Sequence, residues 1–148
     1  MFKKIVVGLD GSETSENALR AACDLAHASG SKIYLVHTPQ PQTVAFAMGA
    51  VTGYHAVTTM PSDAEVVAAA QKVINTGKAI AQEFGQDITE THQRRGNPVD
   101  EIIACAEACD ADLIVTGRRG LGSIETLIHG STAQGVAHKA NCACLTVI

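Results

Sequence analysis

Tryptophan is absent from this chain, and aromatic residues make up only 3% of its 148 positions. A core without large rings has to be packed from Val, Ile, Leu and Ala, the usual filling of a parallel sheet covered by helices. Basic residues are not in excess either: 11 Lys and Arg stand against 15 Asp and Glu, a formal net charge of −4. That balance gives no electrostatic reason to expect nucleic acid or an anionic membrane surface as a partner, so any affinity for phosphate has to be local. No run approaches the roughly 18 uninterrupted apolar residues of a membrane span. Met1-Phe2-Lys3-Lys4-Ile5 enters a hydrophobic strand directly, without the apolar core and small-residue cleavage site of a secretory leader. The cysteines, Cys23, Cys105, Cys109, Cys142 and Cys144, contain no CxxC pair. They read as buried small hydrophobes in a reducing cytoplasm rather than as a zinc site.

What is present is globular. Hydrophobic residues account for 46% and charged ones for 18%, and the length suits one domain over 1–148. Phe2 to Leu9 reads as a strand buried on both faces at Ile5-Val6-Val7. Ser12 then caps a helix with Glu13 and Glu16 in its first turn, an apolar stripe through Ala18, Leu19, Ala22, Leu25 and Ala26, and a stop at Gly30. Lys32 to Thr38 is a second strand, so the opening is a right-handed crossover between parallel strands. Pro39 to Pro61 has no steady period and reads as a flexible insertion. Ser62 and Glu65 form a capping box before a helix that is apolar at Val66, Val67, Ala70, Val73, Ile74, Ile80, Ala81 and Phe84. Asp87 to Gln93 is a polar strand followed by Arg94-Arg95, which suits a sheet edge. Asn97-Pro98 opens a third helix with Val99, Ile102, Ile103 and Ala106 inward. Asp112 to Thr116 is a buried strand, and a short helix at about 131–140 leads to a last strand at 143–148. The order predicts an open, doubly wound α/β sheet of five mainly parallel strands with helices on both faces, a Rossmann-like arrangement. Ligands in such sheets bind beyond the carboxyl ends of the strands, which singles out Asp10, Thr38 and Gly117.

Gly117-Arg118-Arg119-Gly120 is followed by nine residues and then Gly130-Ser131-Thr132. Glycines let successive N–H groups converge on an anion, and Ser131 and Thr132 stand where the final helix begins. Arg118 or Arg119 adds a cation. The spacing alone fits two readings, an anion site or a surface loop with a helix cap. Competing phosphate motifs fail: there is no GxxxxGK[ST], and no GxGxxG follows the first strand.

Gly-x2-Gly-x9-Gly-[Ser/Thr] after a buried strand resembles the ATP-binding signature of the universal stress proteins. The likeness covers nearly the whole chain, from KKIVVGLDGSE through LVH, GNP and DLIVTGRRG to HGST and CLTVI. The resemblance implies an adenine nucleotide (ATP, AMP or ADP, with Mg²⁺ accompanying ATP) whose adenine and ribose lie against Asp10 and the backbone of Thr38. It puts Gly117 beneath the ribose and phosphates, with Gly120, Gly130, Ser131 and Thr132 holding the phosphates and Arg119 close by. For Asp10 the residue itself fits two roles, a bond to a ribose hydroxyl or a cap on the next helix. Arg118 departs from the small polar residue common in the family, and Ala143 stands where relatives often carry Pro. The resemblance further implies a homodimer through the C-terminal strand 143–148, whose Leu145-Thr146-Val147-Ile148 is an apolar edge. No acid, base and metal set assembles around the loop, so the expectation is a cytoplasmic stress-response binding module. The alternative is a slow ATP-hydrolysing or nucleotide-transferring enzyme using the same pocket.

Overall fold

The computed structural model describes residues 1–40, 61–118 and 131–148. Five strands form one parallel sheet: β1 (Lys4–Gly8), β2 (Lys32–His37), β3 (Ile88–Gln93), β4 (Leu113–Gly117) and β5 (Ala143–Val147). Their spatial order is β3-β2-β1-β4-β5, so the chain steps outward from β1 to one edge, then returns past β1 to the other. The order reverses between β1 and β4, the place where open α/β sheets leave a crevice at their carboxyl ends. Four helices link the strands: α1 (Glu13–Ser29), α2 (Asp63–Glu83), α3 (Pro98–Ala108) and α4 (Ser131–Lys139).

Each helix starts and stops where local chemistry dictates. The Ser12 hydroxyl accepts the Ser15 N–H at 3.2 Å, and α1 ends at Gly30, whose φ of 68° is left-handed and whose N–H reaches the Ala26 carbonyl. Ser62 and Glu65 complete the capping box of α2 reciprocally. The Asn97 side chain accepts from the Val99 and Asp100 N–H groups, with Pro98 in the first helical turn.

Period-2 alternation along the strands divides the interior into two layers. Ile5, Val7, Leu9, Ile33 and Leu35 meet Leu19 and Ala22 of α1 and Ile80 and Ala81 of α2 on one face. Val6, Tyr34, Val36 and Ile114 meet Ile102, Cys105 and Ala106 of α3 and Val136 of α4 on the other. Ile5, Val6 and Val7 are wholly inaccessible, as expected for a central parallel strand, and burying each contributes about 1.5–3 kcal/mol. The polar strand β3 does lie at an edge.

Three expectations shift. Val67 is 55% exposed, because the buried row of α2 runs through Val66, Ala70, Ile74 and Gly77, and Val67 lies a third of a turn away. The second strand ends at His37, leaving Thr38 one residue beyond it. Of the cysteines, Cys23 and Cys105 are buried, with burial pushing their thiols up to about 11 and about 12, but Cys144 is exposed on β5. The insertion at 39–61 lies outside the described residues except for 39, 40 and 61.

Candidate functional site

The carboxyl ends of β1, β2 and β4 converge at the switch point. Parallel register pairs Gly8 with Val36, and the Leu9 N–H continues the ladder to the Val36 carbonyl at 2.9 Å. Asp10 stands two residues beyond β1 and Thr38 one residue beyond β2, at the carboxyl ends of these adjacent strands.

Asp10 begins the turn into α1. Its Oδ1 accepts the Ser12 N–H at 2.9 Å and the Ser12 hydroxyl at 2.5 Å, and the Ser15 hydroxyl sits 3.3 Å from the Asp10 N–H. Asp10 therefore braces the turn that carries the Ser12 cap, and this occupies one oxygen. Oδ2 has no hydrogen-bond partner among the described residues. One carboxylate oxygen holds the turn.

His37 is buried, and its Nδ1 lies 2.8 Å from the Leu9 carbonyl. A carbonyl only accepts, so Nδ1 carries the hydrogen. Burial drives the imidazole below its ordinary pKa, against the opposing pull of the Leu9 bond and the Asp10 charge, so the ring is neutral at neutral pH. The Leu9 carbonyl is the group a continued ladder would offer to the Thr38 N–H. No bond from the Thr38 N–H occurs among the described residues. The Thr38 hydroxyl is likewise unpaired although the residue is only 8% exposed.

Gly117 ends β4, paired with Val147 of β5. A Cβ on it would fall 2.7 Å from the Ser15 nitrogen and the Thr14 carbonyl carbon. Its first duty is to let the N-terminal turn of α1 pack against β4. Arg118 is exposed and donates its N–H to the Val147 carbonyl at 2.7 Å, which extends the β4–β5 pairing. Ser131 opens α4, and Thr132 is half-buried in its first turn. Arg119, Gly120 and Gly130 lie outside the described residues. Asp10, Thr38 and Gly117 are thus brought to one end of neighbouring strands. The unpaired Thr38 hydroxyl and the His37 clamp were not legible from sequence; the signal for His37 was a histidine in the last position of a buried strand.

A pocket of about 340 Å³ lies elsewhere, at the amino ends of β4 and β5, lined by Ile103, Ala106, Glu107, Asp110, Ala140 and Cys142 among others. Two carboxylates and no cation make it a poor place for phosphate. Among the described residues no group of His, Cys, Asp and Glu is disposed to hold a metal ion.

The five-stranded parallel sheet, with its order reversing between β1 and β4, defines a Rossmann-like α/β domain. The family model described as the universal stress protein family matches residues 1–147, and the chain belongs to that family. The universal stress protein YxiE of Bacillus subtilis is 31% identical over 150 residues, covering 99% of both chains. A universal stress protein from Archaeoglobus fulgidus solved in complex with dAMP is 26% identical, with a TM-score of 0.68 over 99% of this chain and 98% of that one. A universal stress protein solved in complex with cAMP is also 26% identical, with a TM-score of 0.67 over 99% and 97%.

Proposed function

We propose that this chain is an adenine-nucleotide-binding regulatory module of the stress response. The observation that carries the reading is that Asp10, with one carboxylate oxygen free of hydrogen bonds among the described residues, and Thr38 stand at the carboxyl ends of adjacent strands. Likeness to proteins solved with dAMP and cAMP supports an adenine ring as occupant. In this reading Asp10 Oδ2 accepts from a ribose hydroxyl and the Thr38 backbone meets the adenine edge. Gly117 flanks the ribose, while Arg119, Gly120, Gly130, Ser131 and Thr132 gather around the phosphates at the start of α4. The ligand is ATP, ADP or AMP; with ATP, Mg²⁺ would be held through the phosphate oxygens.

The module acts as a cytoplasmic homodimer joined through 143–148. In support, β5 is an edge strand exposed at four of its five residues, with Leu145 37% and Ile148 74% exposed. No helix of the described residues is long and apolar enough to cross a membrane. Mass spectrometry of small molecules released from the purified protein tests the ligand: an adenine nucleotide supports the reading. Gly130→Val is expected to weaken nucleotide binding by blocking close backbone approach while the protein stays folded. Unchanged affinity in a folded variant removes the phosphate assignment. Incubation with labelled ATP and Mg²⁺ decides between module and enzyme, since turnover lost in Asp10→Ala would favour an enzyme.

A further inference from the structure

We propose that the pocket at the amino ends of β4 and β5 binds a small primary ammonium ion carrying a short hydrocarbon tail. The site is independent of the nucleotide reading and lies at the opposite end of the sheet. Its volume of about 340 Å³ falls at the lower end of the range of about 300–1,000 Å³ typical of small-molecule sites. At about 30 Å³ for each water-sized group, it has room for roughly ten non-hydrogen atoms. The buried Ala106 and Ile114 and the half-buried Ile103 and Ala111 give it an apolar floor, which favours a hydrocarbon tail.

Charge selects the head group. Glu107, in the last turn of α3, and Asp110, just beyond it, line the pocket and are exposed. Neither carboxylate has an ion-pair or hydrogen-bond partner among the described residues. Two helices also end here: α3 stops at Ala108, between these acids, and Ala140 and Asn141 of the lining follow the end of α4 at Lys139. The last carbonyls of a helix carry partial negative charge, so cations are stabilising at that end and carboxylates are not. α3 has no basic residue in its last turn to offset its two acids. Lysines on the flanking elements are engaged elsewhere. Lys139 Nζ is held by Asp100 at 2.7 Å, and Lys4 Nζ takes the Cys109 carbonyl at 2.6 Å without lining the pocket. Lys4 nonetheless shows the chemistry that the end of α3 accepts, an ammonium donating to a carbonyl. No aromatic ring is among the described lining residues, so the site lacks the ring faces that favour quaternary ammonium ions. A primary ammonium has three N–H donors, which suit the two carboxylates and the Asn141 side-chain carbonyl.

Hexylammonium, 1-hexanol and hexanoate share a tail and differ in the head. Each is titrated into the isotopically labelled full chain while the backbone amides are followed by nuclear magnetic resonance. Hexylammonium is expected to give saturable shifts at Ala106, Asp110, Ala111, Ala140 and Cys142 and to bind about tenfold tighter than 1-hexanol, with hexanoate weakest. Combining Glu107→Gln with Asp110→Asn should weaken hexylammonium about tenfold and leave 1-hexanol unchanged. Asparagine tolerates the left-handed backbone at Asp110, where φ is 51°, so the fold is kept. Ala140→Leu fills the space and should weaken hexylammonium and 1-hexanol together. AMP affinity is expected to be unchanged in these variants, so the nucleotide reading stands or falls separately. Equal binding of hexylammonium and 1-hexanol by the parent overturns the inference, as does the absence of saturable shifts at these amides. Hexylammonium affinity retained in the double variant also overturns it. The same amides shifting with protein concentration alone would assign the pocket to a second copy of the chain and overturn it too.

Discussion

The two ends of the sheet differ in how completely their polar groups are used. At the amino end side chains bond the backbone of distant elements. The Asp112 carboxylate accepts the Lys3 N–H at 2.8 Å and the Lys4 N–H at 3.1 Å, Lys4 Nζ donates to the Cys109 carbonyl at 2.6 Å, and the Ser31 hydroxyl to the Phe2 carbonyl at 2.7 Å. At the carboxyl end, among the described residues, Asp10 Oδ2 and the buried Thr38 hydroxyl have no hydrogen-bond partner, while His37 Nδ1 donates to the Leu9 carbonyl. Nothing in the backbone geometry of a parallel sheet requires that asymmetry. It places the fold's closure at one end and its unfilled hydrogen-bonding capacity at the other.

The largest expected effect comes from Gly117, which packs against the first turn of α1. Gly117→Val forces a side chain into the backbone of α1's first turn, where nothing flexible gives way, and should cost about 3 kcal/mol. Urea denaturation measures it, and an unmoved midpoint would mean that α1 does not pack there. Asp112→Ala comes next. It leaves the Lys3 and Lys4 N–H groups without their acceptor and should lower stability by about 1–2 kcal/mol while nucleotide affinity is untouched. Asp10→Ala should do the reverse, reducing nucleotide affinity about tenfold for less than about 1 kcal/mol of stability, since only the turn bonds to Ser12 are lost. If both variants changed stability and affinity alike, the division between the two ends would be wrong.

The smallest effect concerns pH. Burial holds His37 below its ordinary value of 6.5, so the unfolded chain takes up that proton first. Its contribution is complete above about pH 6.5 and is lost as pH falls from there toward the lowered folded value. His37→Gln removes the titrating group, so the denaturation midpoint should vary less between about pH 7 and about pH 5 than in the parent. An unchanged pH dependence would show that His37 ionises alike in folded and unfolded chains.

Much of this architecture could be read from residues alone because each signal was local. Ser12, Ser62 and Asn97 cap the helices they were expected to cap, and the polar run before Arg94-Arg95 is an edge strand. Local chemistry also placed Asp10, Thr38 and Gly117 at strand ends. What sequence did not disclose depends on neighbours distant along the chain. Gly117 looks like a ligand glycine until Thr14 and Ser15 are seen against it, more than a hundred residues earlier in the chain. Val67 falls within an apolar run, and only the helix's rotation on the sheet turns it outward. The state of Thr38 follows from where β2 stops and from the His37 ring beside it, neither of which periodicity predicts.

The most direct test is to titrate isotopically labelled protein with AMP and follow each backbone amide by nuclear magnetic resonance. The account predicts saturable shifts centred on Asp10, Thr38, Gly117 and the first turn of α4, with Lys3, Ser31 and Asp112 unmoved. Shifts concentrated at the amino end, or none at any concentration, would contradict it.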